Sequence, residues 1–419
     1  MAMERFATSI DPEEFVVAAY YLETGLDLKK AAEALCAEQS TGTWVRVGFE
    51  SDELIARYSA RVLEVREIEK GPLNKGILKI AFPHANFGPV IPMLLTTVAG
   101  NLFEMDDFTN IKLLDLEFPK AFTDEFKGPK FGIEGTRRAV RVKDRPLIGC
   151  IVKPCVGLGP KEFAEACYQA AVGGVDFIKD DELIANPGYS PIEERVPRVM
   201  EALDRARGEK GEETLYAVNV TDEVGRIMEN ADMALENGAN CLMLNFITAG
   251  YSALRHLCED PSVNVPVHCH RDMFAAFTRS EVHGISTVVV SKLARLCGGD
   301  QVHAGAVHGK LYEDLPSVLR SVEVLKEGWG HLKPALPVSS GGQHPGKVPE
   351  NLRHLGKDVL ILAGGGIFGH KSGATAGAKA MRQALEAALK GIPLEEHARD
   401  KKELQVALEQ WGVFKPPVS

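Results

Sequence analysis

LIGCIVKPCVGLGPKEFAEACYQAAVGGVDFIKDDE (residues 147–182) carries the pattern on which the fold turns. A short apolar run, LIGCIVK, is followed by a segment of helical period, PKEFAEACYQAAVGG, and then by a second short run, VDFIKDD. Strand, helix and strand in that order make a βαβ unit and hence a parallel sheet. The alternation continues downstream through TLYAVNV (214–220), CLMLN (241–245), VPVHCH (265–270), QVHAGAV (301–307), ALPVSSG (335–341) and VLILAGG (359–365). Helical segments such as PIEERVPRVMEALDRAR, TDEVGRIMENADMALENG and GAKAMRQALEAALKG lie between or after them, closed by Gly or a charge cluster. Eight such strands predict a (β/α)₈ TIM barrel rather than an open doubly wound sheet. In that fold the active site lies at the carboxyl ends of the strands and in the loops that follow them.

Upstream, the pattern changes. EEFVVAAYYL is strand-like, DLKKAAEALCAEQ is an amphipathic helix, RVLEVREIE and GILKIAFP are strands, and PVIPMLLTTVAGN is a helix. This predicts a small α+β, ferredoxin-like domain over residues 1–130 and a barrel over 131–419, with LDLEFPKAFTDEFKGPKFG (114–132) as connector. A chain of 419 residues is long enough for two cores.

Composition narrows the function classes. With 45% hydrophobic and 25% charged residues, the chain has the apolar material of a globular protein and no bias toward disorder. A formal net charge of -10 argues against nucleic acid as a partner, because binding a phosphate backbone needs a basic face. MAMERFATSIDPEEF has no cationic segment followed by an apolar one, and no run approaches the ~20 apolar residues of a membrane span. The expected location is the cytoplasm, with no membrane contact. The eight cysteines form no CxxC pair and several lie in apolar runs, so they are expected to be reduced packing residues.

Reactive side chains fall at the ends of the predicted strands: Lys153; Lys179, Asp181 and Glu182; His270 and Arg271; His303 and Lys310; then the glycine turns SSGG (339–342) and AGGG (363–366). One Lys or His in such a place is ordinarily structural, but these clusters converge on one rim. In KDDE, alternation sends Lys179 and Asp181 to one face with Glu182 just beyond. Two carboxylates suit Mg²⁺, and a lysine could join that shell only as a neutral amine converted by CO₂ to a carbamate. A lysine that merely neutralises the acidic pair is the alternative. The glycine turns expose backbone N–H groups at the last two barrel loops, the usual phosphate site of the fold, although Gly there could simply make tight turns.

Together with STGTW (40–44), GPKFGIEG (128–135), VKP (152–154), HCHRDM (268–273), GGDQVHAG (298–305), GKL (309–311), SSGGQHPG (339–346) and GGGIFGH (364–370), these segments resemble the RuBisCO superfamily over essentially the whole chain. The resemblance implies that Lys179 is carbamylated and shares Mg²⁺ with Asp181 and Glu182. It implies that Lys153 is the acid/base lysine beside the enediolate, that Lys310 is the loop lysine contacting a carboxylate, and that His270 contacts substrate. It also implies phosphate or hydroxyl contacts from Arg271, His303, Ser340, Gly341, Gly342, Gly364 and Gly365. Glu38, Thr43, Trp44 and Asn101 correspond to residues lent to a partner's barrel, which implies a homodimer with shared active sites.

Several positions depart from a carboxylase. Cys155 stands where the family has a second lysine after Lys153, Ile151 where it has threonine, Phe274 where histidine is usual and Tyr312 where a loop glutamate is usual. These changes point to the RuBisCO-like, or form IV, branch. The methionine-salvage enolase resembles the chain around AFPHANFGPVIPMLLTT but carries a lysine at the position of Asn101. Retention of Lys310 with the metal set points instead to decarboxylation through an enolate, nearest the RuBisCO-like decarboxylases and the carbon-bond-cleaving hydrolase of 3-oxo-isoapionate 4-phosphate. The alternatives are an isomerase of a methylthio sugar phosphate, a ribulose bisphosphate carboxylase and a non-catalytic binding protein.

Overall fold

A computed structural model gives the structure of residues 5–43 and 47–415. It divides into two compact units, Met1–Lys127 with Met273–Leu296, and Gly128–Asp272 with Cys297–Ser419.

In the first unit, β1 (Phe15–Thr24), β2 (Arg61–Glu69), β3 (Asn74–Pro83) and β4 (Asn110–Glu117) are joined by helices that include Leu28–Cys36 and Ile91–Ala99. The sheet order β4-β1-β3-β2, with antiparallel neighbours, is the ferredoxin-like arrangement. Along β1, Val16, Ala18, Tyr20 and Leu22 are buried in strict alternation, the period-2 pattern of a sheet covered on one face. The Tyr20 hydroxyl donates to Val98 O at 2.7 Å, which ties β1 to the second helix. Asp27 caps the first helix by accepting from the backbone N–H groups of Lys29 and Lys30.

This unit differs from the sequence reading in two ways. LDLE, expected to open the connector, is the end of β4 and pairs with β1 through Leu116↔Ala18. Residues 273–296, assigned by sequence to the barrel domain, cluster with the first unit, whose first segment ends at Lys127 rather than residue 130. The physical reason lies along β4. A short strand β10 (Gly284–Ile285) runs parallel to β4 with Ile285 opposite Leu113. Lys292 Nζ donates to Asp115 Oδ1 at 2.6 Å and to Leu116 O at 2.9 Å, and Lys112 Nζ donates to Thr278 O at 3.3 Å.

The second unit is a closed barrel of eight parallel strands: β5 (Leu147–Ile151), β6 (Phe177–Lys179), β7 (Leu215–Asn219), β8 (Cys241–Asn245), β9 (Val267–His270), β11 (Gln301–Gly305), β12 (Leu336–Ser340) and β13 (Leu360–Ala363). The pairing of β13 with β5, Leu360 opposite Leu147, closes the ring. Leu147, Phe177, Leu215, Met243, Val338 and Leu362 belong to one buried core cluster. The space there is tight: a Cβ at Gly149 would lie 2.9 Å from Leu362 Cδ1 and 3.0 Å from Phe177 O, so only glycine fits without displacing a neighbour. Helices Pro160–Val172, Ile192–Lys210 and Ala374–Lys390 present buried stripes at helical spacing, as expected of crossovers on a barrel.

All eight cysteines are free thiols and seven are buried, which fits their reading as packing residues. No helix among the described residues is long and apolar enough to cross a membrane.

Candidate active site at the carboxyl ends of the barrel strands

Lys179 is the last residue of β6, and the pleat that buries Phe177 also directs its side chain inward. It is 0% exposed. Its amine donates to Asp180 O at 2.7 Å and to Glu182 Oε2 at 3.1 Å. Burial lowers the Lys179 pKa, only partly opposed by the negative charges of Glu182, Asp181 and Asp180. Glu182, in turn, is held down at about 2: burial pushes it up, but the charges of Lys179 and His270 more than offset that.

Lys153, two residues beyond β5, makes an ion pair with Asp181 Oδ2 and a 3.0 Å contact with Cys155 Sγ. Burial opposes its charge, but its hydrogen bonds to Asp181 and Cys155 prevail and its pKa is raised. A Cβ at Gly364 would stand 3.0 Å from Lys153 Cε, so the glycine after β13 leaves room for the lysine stem. Two carboxylates, each holding one lysine, therefore occupy neighbouring positions on the rim.

Asp180 faces the other way. Its carboxylate accepts from the Tyr216 hydroxyl at 2.5 Å, from Asn219 N at 2.9 Å and from Arg195 at 3.1 Å, and all three side chains of this ionic cluster (Asp180, Arg195, Tyr216) are fully buried. Asn245, at the end of β8, donates to Glu182 O at 2.9 Å. The loop carrying both candidate metal carboxylates is thus fixed from behind. Arg195 was not singled out by sequence, although it sits on the apolar stripe Ile192, Arg195, Val196, Val199 of its helix, where a charge signals a buried partner.

A histidine row crosses the mouth. His268 and His270 point the same way from β9, as alternate residues must. His268 Nδ1 meets Gln301 Oε1 at 3.0 Å and its Nε2 meets His303 Nε2 at 2.9 Å, while the His270 and His303 rings stand 4.5 Å apart. His270 Nε2 lies 3.6 Å from Glu182 Oε2. Burial and the positive charge of Lys179 lower the pKa of His268 and His270. Burial and the neighbouring His270 and His268 do the same for His303.

Arg271 donates to Glu313 Oε2 at 2.6 Å, and the two side chains are 4% and 2% exposed. Glu313 lies in the loop after β11 and was not assigned by sequence. Lys310, in the same loop, is exposed. Its backbone N–H donates to Gly341 O at 3.3 Å. Ser340 ends β12, and Gly341 and Gly342 follow with φ of 113° and 70°, conformations that favour glycine. A Cβ on Gly342 would approach Lys310 N to 3.2 Å, so the glycine turn seats the lysine loop. Gly365 opens onto free space, with nothing within 4 Å of where its Cβ would be.

In the first unit, Asn101 Nδ2 donates to Glu38 Oε1 at 3.1 Å. Thr43 is exposed, and Trp44 lies outside the described residues.

The donor set fits Mg²⁺ with a lysine carbamate. Asp181 and Glu182 supply hard oxygens, and an amine whose charge is disfavoured by burial is the form that adds CO₂.

Profiles of the ribulose bisphosphate carboxylase large chain match residues 132–411 for the catalytic domain and 8–122 for the N-terminal domain. A "ribulose bisphosphate carboxylase-like protein" of Archaeoglobus fulgidus is 45% identical over 404 residues, covering 93% of this chain and 91% of the relative. The octameric ribulose-1,5-bisphosphate carboxylase/oxygenase of Pyrococcus horikoshii superposes with a TM-score of 0.91 at 37% identity, covering 97% of this chain and 96% of that one. A rubisco-like protein of Burkholderia fungorum gives 0.87 at 33% identity, covering 95% and 100%. Matched from end to end by the profiles of both domains, the chain belongs to the ribulose bisphosphate carboxylase large-chain family.

Proposed function

We propose that this family member is a Mg²⁺-dependent, RuBisCO-like decarboxylase of a phosphorylated keto sugar acid of the 3-oxo-isoapionate 4-phosphate type. The observation that carries this reading is the fully buried Lys179 amine 3.1 Å from Glu182 and one residue from Asp180–Asp181, with Lys153 held on Asp181 beside it. Lys179 as a carbamate, Asp181 and Glu182 would hold the metal. When bound, Mg²⁺ supplies Lewis-acid stabilisation of negative charge on a substrate oxygen.

The chain's own residues account for the remainder. The turns at Gly341–Gly342 and Gly364–Gly365 hold the phosphate by backbone N–H groups. Lys310 orients the carboxylate. The bond from the carboxylate carbon to the α carbon breaks, its electron pair stays with the keto fragment, and CO₂ leaves. Lys153, kept as an ammonium by its raised pKa, returns a proton to the α carbon from Nζ. His270 and His303, kept neutral, hydrogen-bond substrate hydroxyls.

The engagement of Arg271 by Glu313 supports a substrate with one phosphate: a buried guanidinium already neutralised is a poor site for a second dianion. The same pairing, with Cys155 and Tyr312, counts against ribulose bisphosphate carboxylation. The protein acts as a homodimer or higher oligomer in which Glu38, Thr43, Trp44 and Asn101 complete a partner's site.

A panel of monophosphorylated keto sugars with and without a β-carboxylate tests this reading. CO₂ release should require the carboxylate and Mg²⁺, rise after preincubation with bicarbonate and vanish in Lys179→Ala. Full activity in EDTA would sink the metal assignment, and turnover confined to substrates lacking the carboxylate would favour the isomerase.

A further inference from the structure

Away from the KDDE loop, His308, Glu350 and His354 bring one ligand atom each to within 4.8 Å of one another. Glu350 and His354 are four residues apart on one face of the helix Val348–Leu355, while His308 comes from the loop after β11, two residues before Lys310. His308 Nε2 lies 3.7 Å and His354 Nε2 3.5 Å from Glu350 Oε2. A tetrahedral ion with bonds of about 2.0–2.1 Å has ligand-to-ligand edges of roughly 3.3–3.5 Å, so the two observed spacings need to close by only tenths of an ångström.

The His308 ring is already oriented. It stacks on Phe414 at 4.3 Å with 19° between planes, its carbonyl accepts from Lys347 Nζ at 2.6 Å, and its backbone takes a φ of 49°. Its Nε2 is buried with no hydrogen-bond partner. On the other side, one nitrogen of Arg353 donates to Glu350 Oε2 at 2.5 Å and to His354 Nε2 at 2.9 Å. A cationic group thus occupies the point on which those two lone pairs converge. The Arg353 side chain is 57% exposed, so it can leave for solvent.

The geometry points to a second, transition-metal site of the Zn²⁺ class built from His308, Glu350 and His354, which tethers the Lys310 loop to the helix Val348–Leu355. Two imidazoles and one carboxylate suit Zn²⁺ or Co²⁺ and do not suit Mg²⁺. Binding displaces Arg353 and leaves a fourth position for water. The site is independent of the decarboxylase reading, because its occupancy is read without substrate.

Co²⁺ titration of the full-length protein in excess Mg²⁺ tests it, followed by the visible absorption of nitrogen-ligated Co²⁺. One equivalent should bind to the parent protein. His308→Ala, Glu350→Gln and His354→Ala should each weaken binding by roughly a hundredfold or more, and Arg353→Ala should tighten it by removing the competing cation. Amide exchange across residues 305–311 should slow when Co²⁺ is added to the parent and stay unchanged in Glu350→Gln. Should any of these variants misfold, crystals of the parent soaked in Co²⁺ should show an anomalous peak between the three side chains. Unaltered Co²⁺ binding in folded Glu350→Gln, or an anomalous map without that peak, overturns the site. Exchange that ignores bound Co²⁺ overturns the tether.

Discussion

The Arg271 guanidinium and the Glu313 carboxylate form a 2.6 Å ion pair in which neither side chain is more than 4% exposed. Burial pushes the Glu313 pKa up, while the charge and hydrogen bond of Arg271 pull it back. Two consequences separate. Glu313→Gln keeps the shape and removes the negative charge paired with Arg271, so affinity for a bisphosphorylated ligand should rise by about tenfold or more, the scale of one charge-assisted hydrogen bond. Arg271→Ala strands a buried carboxylate and should cost about 3 kcal/mol or more of stability in chemical denaturation. An unchanged bisphosphate affinity in Glu313→Gln would mean that the pair does not restrict the substrate.

Acid should weaken the fold through its neutral imidazoles. Burial and the nearby Lys347 hold His344 down at about 4, below the value near 6.5 of an unfolded chain. The depressed pKa means that the unfolded state takes the proton first as pH falls. Stability from this group is therefore intact above about pH 6.5 and is lost as pH drops toward 4. His344→Gln should remove up to about one proton from the pH slope of unfolding across that window, measured by urea denaturation at each pH. A slope identical to that of the parent would place the titration elsewhere.

The barrel was legible because its strands are short apolar runs separated by capped helices; CLMLN matches β8 residue for residue. The ends were harder. VDFIKDD reads as a long strand, yet β6 stops at Lys179, because Asp180 turns back to Arg195 and Tyr216 instead of continuing the ladder. The last part of β4 resembled a linker since Pro119 and Gly128 follow closely, and the contacts that hold it come from far along the chain, such as Ala18 opposite Leu116 and Lys292 on Asp115. Pairings of that kind leave no local trace. The candidate residues at the mouth carried a signal in their type and strand position, but Glu313 carried none: a glutamate in a polar loop is ordinary until a buried arginine is found beside it. His268 carried a signal, since it shares the face of His270 two residues on.

Complementation tests the shared site. If Asn101, which is hydrogen-bonded to Glu38, completes the barrel of a partner, then Asn101→Ala and Lys179→Ala are each inactive alone. Mixed and allowed to exchange, half of the dimers are hybrids with one intact site in two, so activity should return to about a quarter of the parent value. Confirmed heterodimers that stay inactive would show that each chain supplies its own complete site.

Lys310 and Lys153 should separate the two halves of the reaction. Lys310 lies on a loop seated against Gly341 and Gly342, with its side chain exposed and able to fold over a ligand. Lys153 is half-buried and bound to Asp181, and the proposed reaction gives it the proton transfer. Loss of one positioned cation costs on the order of a hundredfold in rate, so Lys310→Met should reduce CO₂ release by about that factor. It should leave solvent deuterium exchange at the α carbon of the decarboxylated ketose largely intact, because that exchange needs no carboxylate. Lys153→Met removes the proton carrier and should suppress both. Parent-rate CO₂ release from Lys310→Met would show that the loop lysine handles no carboxylate, and the balance would then move to proton shuttling by Lys153 alone, the chemistry of an aldose-ketose isomerase.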